Sequence, residues 1–223
     1  MKAAVFDFDG VLVDSEPLHF QALRDSLRPE GILIGREDYF SRYLAFDDVG
    51  AIRRALEDHG ISPDAELLGR IARRKAACFQ DVLEGVSFFP GARELVLSLA
   101  AEVPLGIASG ARHEEIEAIL AAGGLRDPFA VIVGADDVPR TKPDPAPYLI
   151  AARQLAAVVP GLEPGDCVAF EDSMPGIASA LAAGMKVVGV AHSYPPEKLQ
   201  AAHRVVPSLE GLAGDGLRAL LGS

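Results

Sequence analysis

Four carboxylates, one hydroxyl and one ammonium stand beyond the ends of short apolar runs in this sequence. Asp7 and Asp9 follow Ala3–Phe6, Ser109 follows Val103–Ala108, Lys142 lies past Val131–Val133, and Glu171 and Asp172 follow Cys167–Phe170. Carboxylates gathered at one place repel one another, so the set calls for a divalent cation. All the donors on offer are oxygens and no His or Cys cluster has zinc-like spacing, so that cation is expected to be Mg2+. Asp7 and Asp9 are two positions apart and share a face of an extended strand. One of them can attack phosphorus while the other handles a proton on the attacking or leaving oxygen. Gly10 lets the chain turn directly after them. Ser109, next to Gly110, can donate to a phosphate oxygen, and Lys142 can balance charge that grows on a transferring group. Glu171 and Asp172 are the remaining metal candidates, directly or through water.

Each residue alone has a plainer reading. Asp-x-Asp occurs in ordinary turns, a lone Ser109 is commonly a helix N-cap, and a lone Lys142 is a solvated side chain. Glu171-Asp172 alone suits the start of a helix. The same residues in this order, each past a strand, are much harder to explain one by one and point together to a catalytic site.

The elements that must position them follow from the pattern. The runs Ala3–Phe6, Val103–Ala108, Val131–Val133, Cys167–Phe170 and Val187–Val190 have the length of strands buried on both faces. Helical patterns lie between the later ones: after Pro90-Gly91, over Arg112–Ala122, over Tyr148–Val158 and over Pro175–Ala183. Such alternation predicts an α/β fold, a doubly wound Rossmann-like parallel sheet. In such sheets ligands collect at the carboxyl ends of the strands. The alternation fails once, between the first two strands, where Leu18–Leu27, Val49–His59 and Ala65–Leu83 read as helices. A structureless loop of that length is improbable. Residues 15–87 are therefore expected to form an inserted α-helical cap domain, with 1–14 and 88–223 as the core domain.

The formal net charge of −11 argues against nucleic acid and anionic membrane as partners, since both need basic surface. The apolar stretch Ser173–Met185 is short and contains Pro175 and two glycines, unlike a membrane span. Cys78 and Cys167 are expected to be buried free thiols. No signal-peptide pattern precedes Asp7, so a cytoplasmic enzyme is expected.

The segments Asp7-Phe8-Asp9-Gly10-Val11-Leu12-Val13-Asp14-Ser15-Glu16, Ser109, Lys142-Pro143-Asp144-Pro145 and Phe170-Glu171-Asp172-Ser173-Met174-Pro175-Gly176 resemble the four signatures of the haloacid-dehalogenase-like hydrolase superfamily. The match extends along essentially the whole chain and is most similar to the branch of β-phosphoglucomutase and small sugar- or organo-phosphate phosphatases. The resemblance implies Asp7 as nucleophile and Asp9 as general acid/base. It also implies Mg2+ held by Asp7, the Asp9 backbone carbonyl and Asp172, with Glu171 assisting.

Within that family, displacement of halide from carbon needs no acid/base at the second position, yet Asp9 is present. Imine chemistry on an early cap lysine is disfavoured because the first lysine of the insert is Lys75. A phosphomutase would carry an arginine in a Gly-x-x-Arg loop; alignment of Tyr43–Val49 puts Ala45 at the glycine and Asp48 at the arginine. A carboxylate there repels a second phosphate, unless Arg42 or Arg53 compensates. Glu16, His19 and Arg42, like Gly110, are candidate substrate contacts, and selectivity is expected to reside between about Ser15 and Arg54. The expected function is hydrolysis of a small phosphate monoester; the alternatives are a phosphomutase and a catalytically silent binding protein on the same scaffold.

Overall fold

A computed structural model describes residues 1–44, 46–82, 85–212 and 217. The chain divides into two compact units, Met1–Asp14 with Ser87–Ser223, and Ser15–Val86. Ser87, placed with the insert on sequence grounds, pairs with Asp14 and so belongs with the sheet unit.

The sheet unit is built on β1 (Ala3–Phe6), four apolar residues buried on both faces. A two-residue ribbon follows, β2 (Val13–Asp14) against β3 (Ser87–Phe88), antiparallel, where the chain leaves this unit and returns to it. Strands of two residues carry no periodicity, which is why the sequence pattern does not predict them. The chain then runs through α5 (Ala92–Ala100), β4 (Leu105–Ala108), α6 (His113–Ala122), β5 (Phe129–Val133) and α7 (Ala146–Leu155). It continues through β6 (Cys167–Glu171), α8 (Met174–Ala182), β7 (Lys186–Val190) and β8 (Arg204–Val206). The six-stranded sheet has the order β5-β4-β1-β6-β7-β8, and every neighbouring pair is parallel. The expected α/β parallel sheet is therefore present; β8, three residues long, is an addition to it.

The strand order reverses at β1. Connections run to β4 and β5 on one side and to β6, β7 and β8 on the other, and the carboxyl ends of such strands at a reversal form the usual ligand crevice. Strand alternation divides the core. Ala3 and Val5 pack with Ala169 and with Tyr148, Leu155 and Ile177 of the covering helices. Phe6 sits opposite Phe170 in register, with stacked rings 4.6 Å apart, and meets Phe129 edge-on at 6.1 Å. This aromatic cluster lies one residue before Asp7 and Glu171 and fixes the strand ends that present them.

The second unit is helical: α1 (Glu16–Leu27), α2 (Arg36–Asp38) running into a π-helical turn at Tyr39–Tyr43, α3 (Asp48–Asp58) and α4 (Ala65–Val82). Pro17 occupies the first turn of α1, where its missing N–H is no loss. Asp47 caps α3 by accepting from the Gly50 N–H at 2.7 Å. Leu23, Leu27, Ile52, Leu56 and Ile71 form the centre of this unit with the rings of Tyr39 and Tyr43. Leu83, expected at the end of α4, and Ala45, aligned with the mutase glycine, lie outside the described residues. Among the described residues no helix is long and apolar enough to cross a membrane.

Replacing Phe6 by alanine removes the centre of the aromatic cluster. The expected destabilisation is about 3–5 kcal/mol, measured by urea unfolding; a loss below about 1 kcal/mol would show that the stack does not hold the strand ends.

Candidate active site

Two strand ends and one loop bring four charged side chains together. Asp7 follows β1, Glu171 ends β6 and Asp172 follows it, and these three carboxylates offer ligand atoms within 4.8 Å of one another. Lys142 comes from the loop between β5 and α7. Its Nζ lies 2.8 Å from Asp7 Oδ1 and 2.6 Å from Glu171 Oε1, and its side chain is only 11 % exposed. A lysine read alone as a surface residue is here the shared cation of two buried acids.

Glu171 is fully buried. Its Oε1 accepts from Lys142 and from the Tyr148 hydroxyl at 2.7 Å. Its Oε2 accepts from the backbone N–H groups of Asp172 and Ser173 at 3.2 and 3.3 Å and from Ser173 Oγ at 3.1 Å. Ser173 is also the N-cap of α8, accepting from the Gly176 N–H. The helix start thus serves as an anion cradle. Gly176 is required there, since an added Cβ would lie 1.9 Å from Glu171 Oε1.

Asp7 Oδ1 also accepts from the Phe8 N–H at 2.7 Å. Asp9 is half-buried in the turn that follows, in a bridge with Val13. Gly10 has φ +77°, a left-handed conformation, and donates its N–H to the Val13 carbonyl. A Cβ at Gly10 would lie 2.0 Å from Asp172 Oδ2 and 2.8 Å from Ser193 Oγ, so only glycine leaves room for that carboxylate.

Ser109 is buried past β4, and its Oγ accepts from the Ala111 N–H at 3.0 Å. Because α6 starts at His113, Ser109 closes a turn and is not an N-cap. Gly110 beside it is exposed, with nothing within 4 Å of where a Cβ would stand.

The electrostatics follow from three acids sharing one cation. Burial pushes the Asp7 carboxyl well above the usual range; Lys142 opposes this, while Glu171 and Asp172 add to it. Burial and then Glu171 push Asp172 up to about 7, against a hydrogen bond from the Ser193 hydroxyl and the Lys142 charge. Burial alone would lower the Lys142 pKa; Asp7 and Glu171 more than offset it and keep the ammonium charged. The donor set is all oxygen, negatively charged and uncrowded at Gly10. These features fit a hard divalent cation, whose charge would let the carboxylates ionise together.

Candidates in the helical unit are arranged separately. His19 stacks on Phe79, with ring centroids 4.3 Å apart, and its Nδ1 is 3.2 Å from Lys75 Nζ. Glu16 accepts from the Tyr39 hydroxyl at 2.8 Å. The Arg42 guanidinium is engaged by Asp58 at 2.6 Å and by Asp38 at 3.8 Å. Asp48 meets the Lys75 ammonium at 2.5 Å, and the lysine side chain is 4 % exposed. Arg53 and Arg140 lie at the surface.

Four residues near these groups are not singled out by the sequence pattern: Tyr148, His192, Ser193 and Lys75. Tyr148 reads as one more apolar position of α7, and nothing in its spacing announces the hydroxyl. His192 Nδ1 donates to the Gly10 carbonyl at 3.0 Å while its ring stacks on Phe89, and burial lowers its pKa. Neither cysteine is disulfide-bonded. Cys78 is half-buried rather than buried as expected, and burial raises the Cys167 thiol to about 11, far from a reactive thiolate.

Residues 1–184 match the family model described as haloacid dehalogenase-like hydrolase. The chain is 33 % identical over 192 residues to hexitol phosphatase B of Escherichia coli K12, covering 84 % of this chain and 82 % of that one. It is 30 % identical over 229 residues to protein CbbY of Rhodobacter capsulatus, covering 99 % of each. The structure of CbbY from Rhodobacter sphaeroides in complex with phosphate is similar with a TM-score of 0.82 at 28 % identity, again over 99 % of both chains.

The raised Asp172 pKa has a defined effect on stability. In EDTA, the unfolded Asp172 carboxyl loses its proton near its ordinary 3.8, whereas the folded one keeps it to about 7. The folded state therefore holds more protons across that window, and stability falls as pH rises through it. The urea-unfolding stability of wild type, relative to Asp172→Asn, should decline between about pH 4 and 7 with a slope of at most about 1.4 kcal/mol per pH unit. A flat difference would mean that Asp172 titrates normally.

Proposed function

The chain belongs to the haloacid dehalogenase-like hydrolases, and from that premise we propose that it is a magnesium-dependent phosphatase acting on a small phosphorylated sugar or similar cytoplasmic metabolite. The observation that carries this reading is the Lys142 ammonium, held at once on Asp7 and on the buried Glu171 with Asp172 beside them. The likeness to hexitol phosphatase B supports the substrate class.

Asp7 is the nucleophile. A carboxylate oxygen attacks phosphorus, the bond from phosphorus to the ester oxygen breaks, and the departing alkoxide takes a proton from the Asp9 carboxyl. Asp9, now a carboxylate, removes a proton from water; that water attacks the phosphorus of the aspartyl-phosphate, and the bond to Asp7 breaks to release inorganic phosphate. Lys142 balances the negative charge on the transferring group, and the Ser109 hydroxyl with the Gly110 backbone holds its oxygens. Asp7, the Asp9 carbonyl and Asp172, with Glu171 in support, would hold the magnesium, which supplies charge neutralisation for the carboxylates and the phosphoryl oxygens.

Selection among esters is assigned to the helical unit, through Glu16, His19 and Arg42. The mutase alternative is disfavoured by Asp48. In the alignment, a carboxylate paired with Lys75 takes the place of the mutase arginine.

p-Nitrophenyl phosphate and a panel of phosphate esters test this directly. Magnesium-dependent phosphate release is expected, abolished by EDTA and by Asp7→Asn. Failure to release phosphate from any ester of the panel would overturn the phosphatase reading. Conversion of a sugar 1-phosphate to the 6-phosphate faster than free phosphate appears would replace it with the mutase.

A further inference from the structure

We propose that Tyr148 is a positioning residue, whose hydroxyl holds Glu171 so that the Lys142 ammonium remains shared with Asp7. The inference rests on the reading that Lys142 acts on the group transferred to Asp7.

Three observations meet at this residue. Tyr148 is wholly buried, and its hydroxyl donates to Glu171 Oε1 at 2.7 Å, the same oxygen that Lys142 approaches at 2.6 Å. The Lys142 ammonium lies 5.1 Å from the centroid of the Tyr148 ring. The ring therefore packs against the cation while its hydroxyl occupies the cation's own acceptor. Glu171 Oε2 is already filled by the start of α8, so Oε1 is the oxygen over which Lys142 and Tyr148 divide.

A neutral donor on Oε1 meets part of that oxygen's hydrogen-bonding capacity without adding charge. Remove it, and a fully buried carboxylate draws harder on its one remaining donor at that oxygen. Lys142 is then pulled away from Asp7, 2.8 Å on its other side. Phenylalanine would keep the ring and the packing and lose only this division of labour.

The test is Tyr148→Phe in the full chain, assayed with magnesium on the best ester of the panel and examined in parallel by crystallography. The expected result is a fall in kcat of about tenfold, as for a lost hydrogen bond to a charged group, with KM within about twofold. In the crystal, Lys142 Nζ should move out of hydrogen-bond distance of Asp7 while remaining on Glu171. Unchanged kcat with Lys142 still on Asp7 would overturn the proposal, even if thermal stability fell, because that outcome assigns Tyr148 to packing alone. If wild type hydrolyses no ester, the phosphatase reading fails separately, and the Lys142–Asp7 distance in Tyr148→Phe still decides the positioning role.

Discussion

A carboxylate removed from water must find donors for both oxygens or lose its charge. Among the described residues Glu171 is the most deeply buried such group, at the end of a central strand, and the surrounding structure can be read as the set of its donors. The start of α8 supplies backbone and hydroxyl donors to one oxygen; Lys142 and Tyr148 supply the other. Lys142 then has a second ion-pair partner in Asp7, and Asp172 follows Glu171 directly in the chain. Three clustered acids beside one ammonium, which pairs with only Asp7 and Glu171, cannot all ionise comfortably, so the site is short of positive charge in the region where a phosphoryl group and a divalent cation would bring their own opposing charges.

Two glycines show how closely the backbone is fitted to this arrangement. Gly176 leaves space for the Glu171 carboxylate and Gly10 leaves space for Asp172, and in each case a single Cβ would strike the acid. Gly10 also supplies the carbonyl that His192 grips and the turn that leads into the β2–β3 ribbon. The aromatic stack of Phe6 on Phe170 sits one step back along both strands, so the apolar core and the polar site are set by the same two strand ends.

Much of this is legible in the sequence because the strands are buried on both faces and read as continuous apolar runs. Placing Asp7, Ser109, Glu171 and Asp172 required only the ends of those runs. The helical insert is visible because the strand alternation stops. Other features leave no local signal. The two-residue strands Val13–Asp14 and Ser87–Phe88 are too short for a pattern, and β8 is little longer. Tyr148 occupies a position any large apolar residue could fill, and its hydroxyl matters only because a strand distant in sequence delivers Glu171 to it. Asp48 reads as an unfavourable charge until α4 brings the buried Lys75 to meet it, a pairing that depends on helix packing rather than on spacing.

The central claim is that the phosphoryl group passes through Asp7. Rapid quenching of the magnesium-loaded enzyme during turnover of p-nitrophenyl phosphate, followed by borohydride reduction and peptide mass spectrometry, tests it most directly. Reduction of an aspartyl-phosphate leaves homoserine, and the account predicts homoserine at position 7 with Asp9 unchanged. Phosphate release with no modification at position 7, or reduction at a different carboxylate, would contradict it.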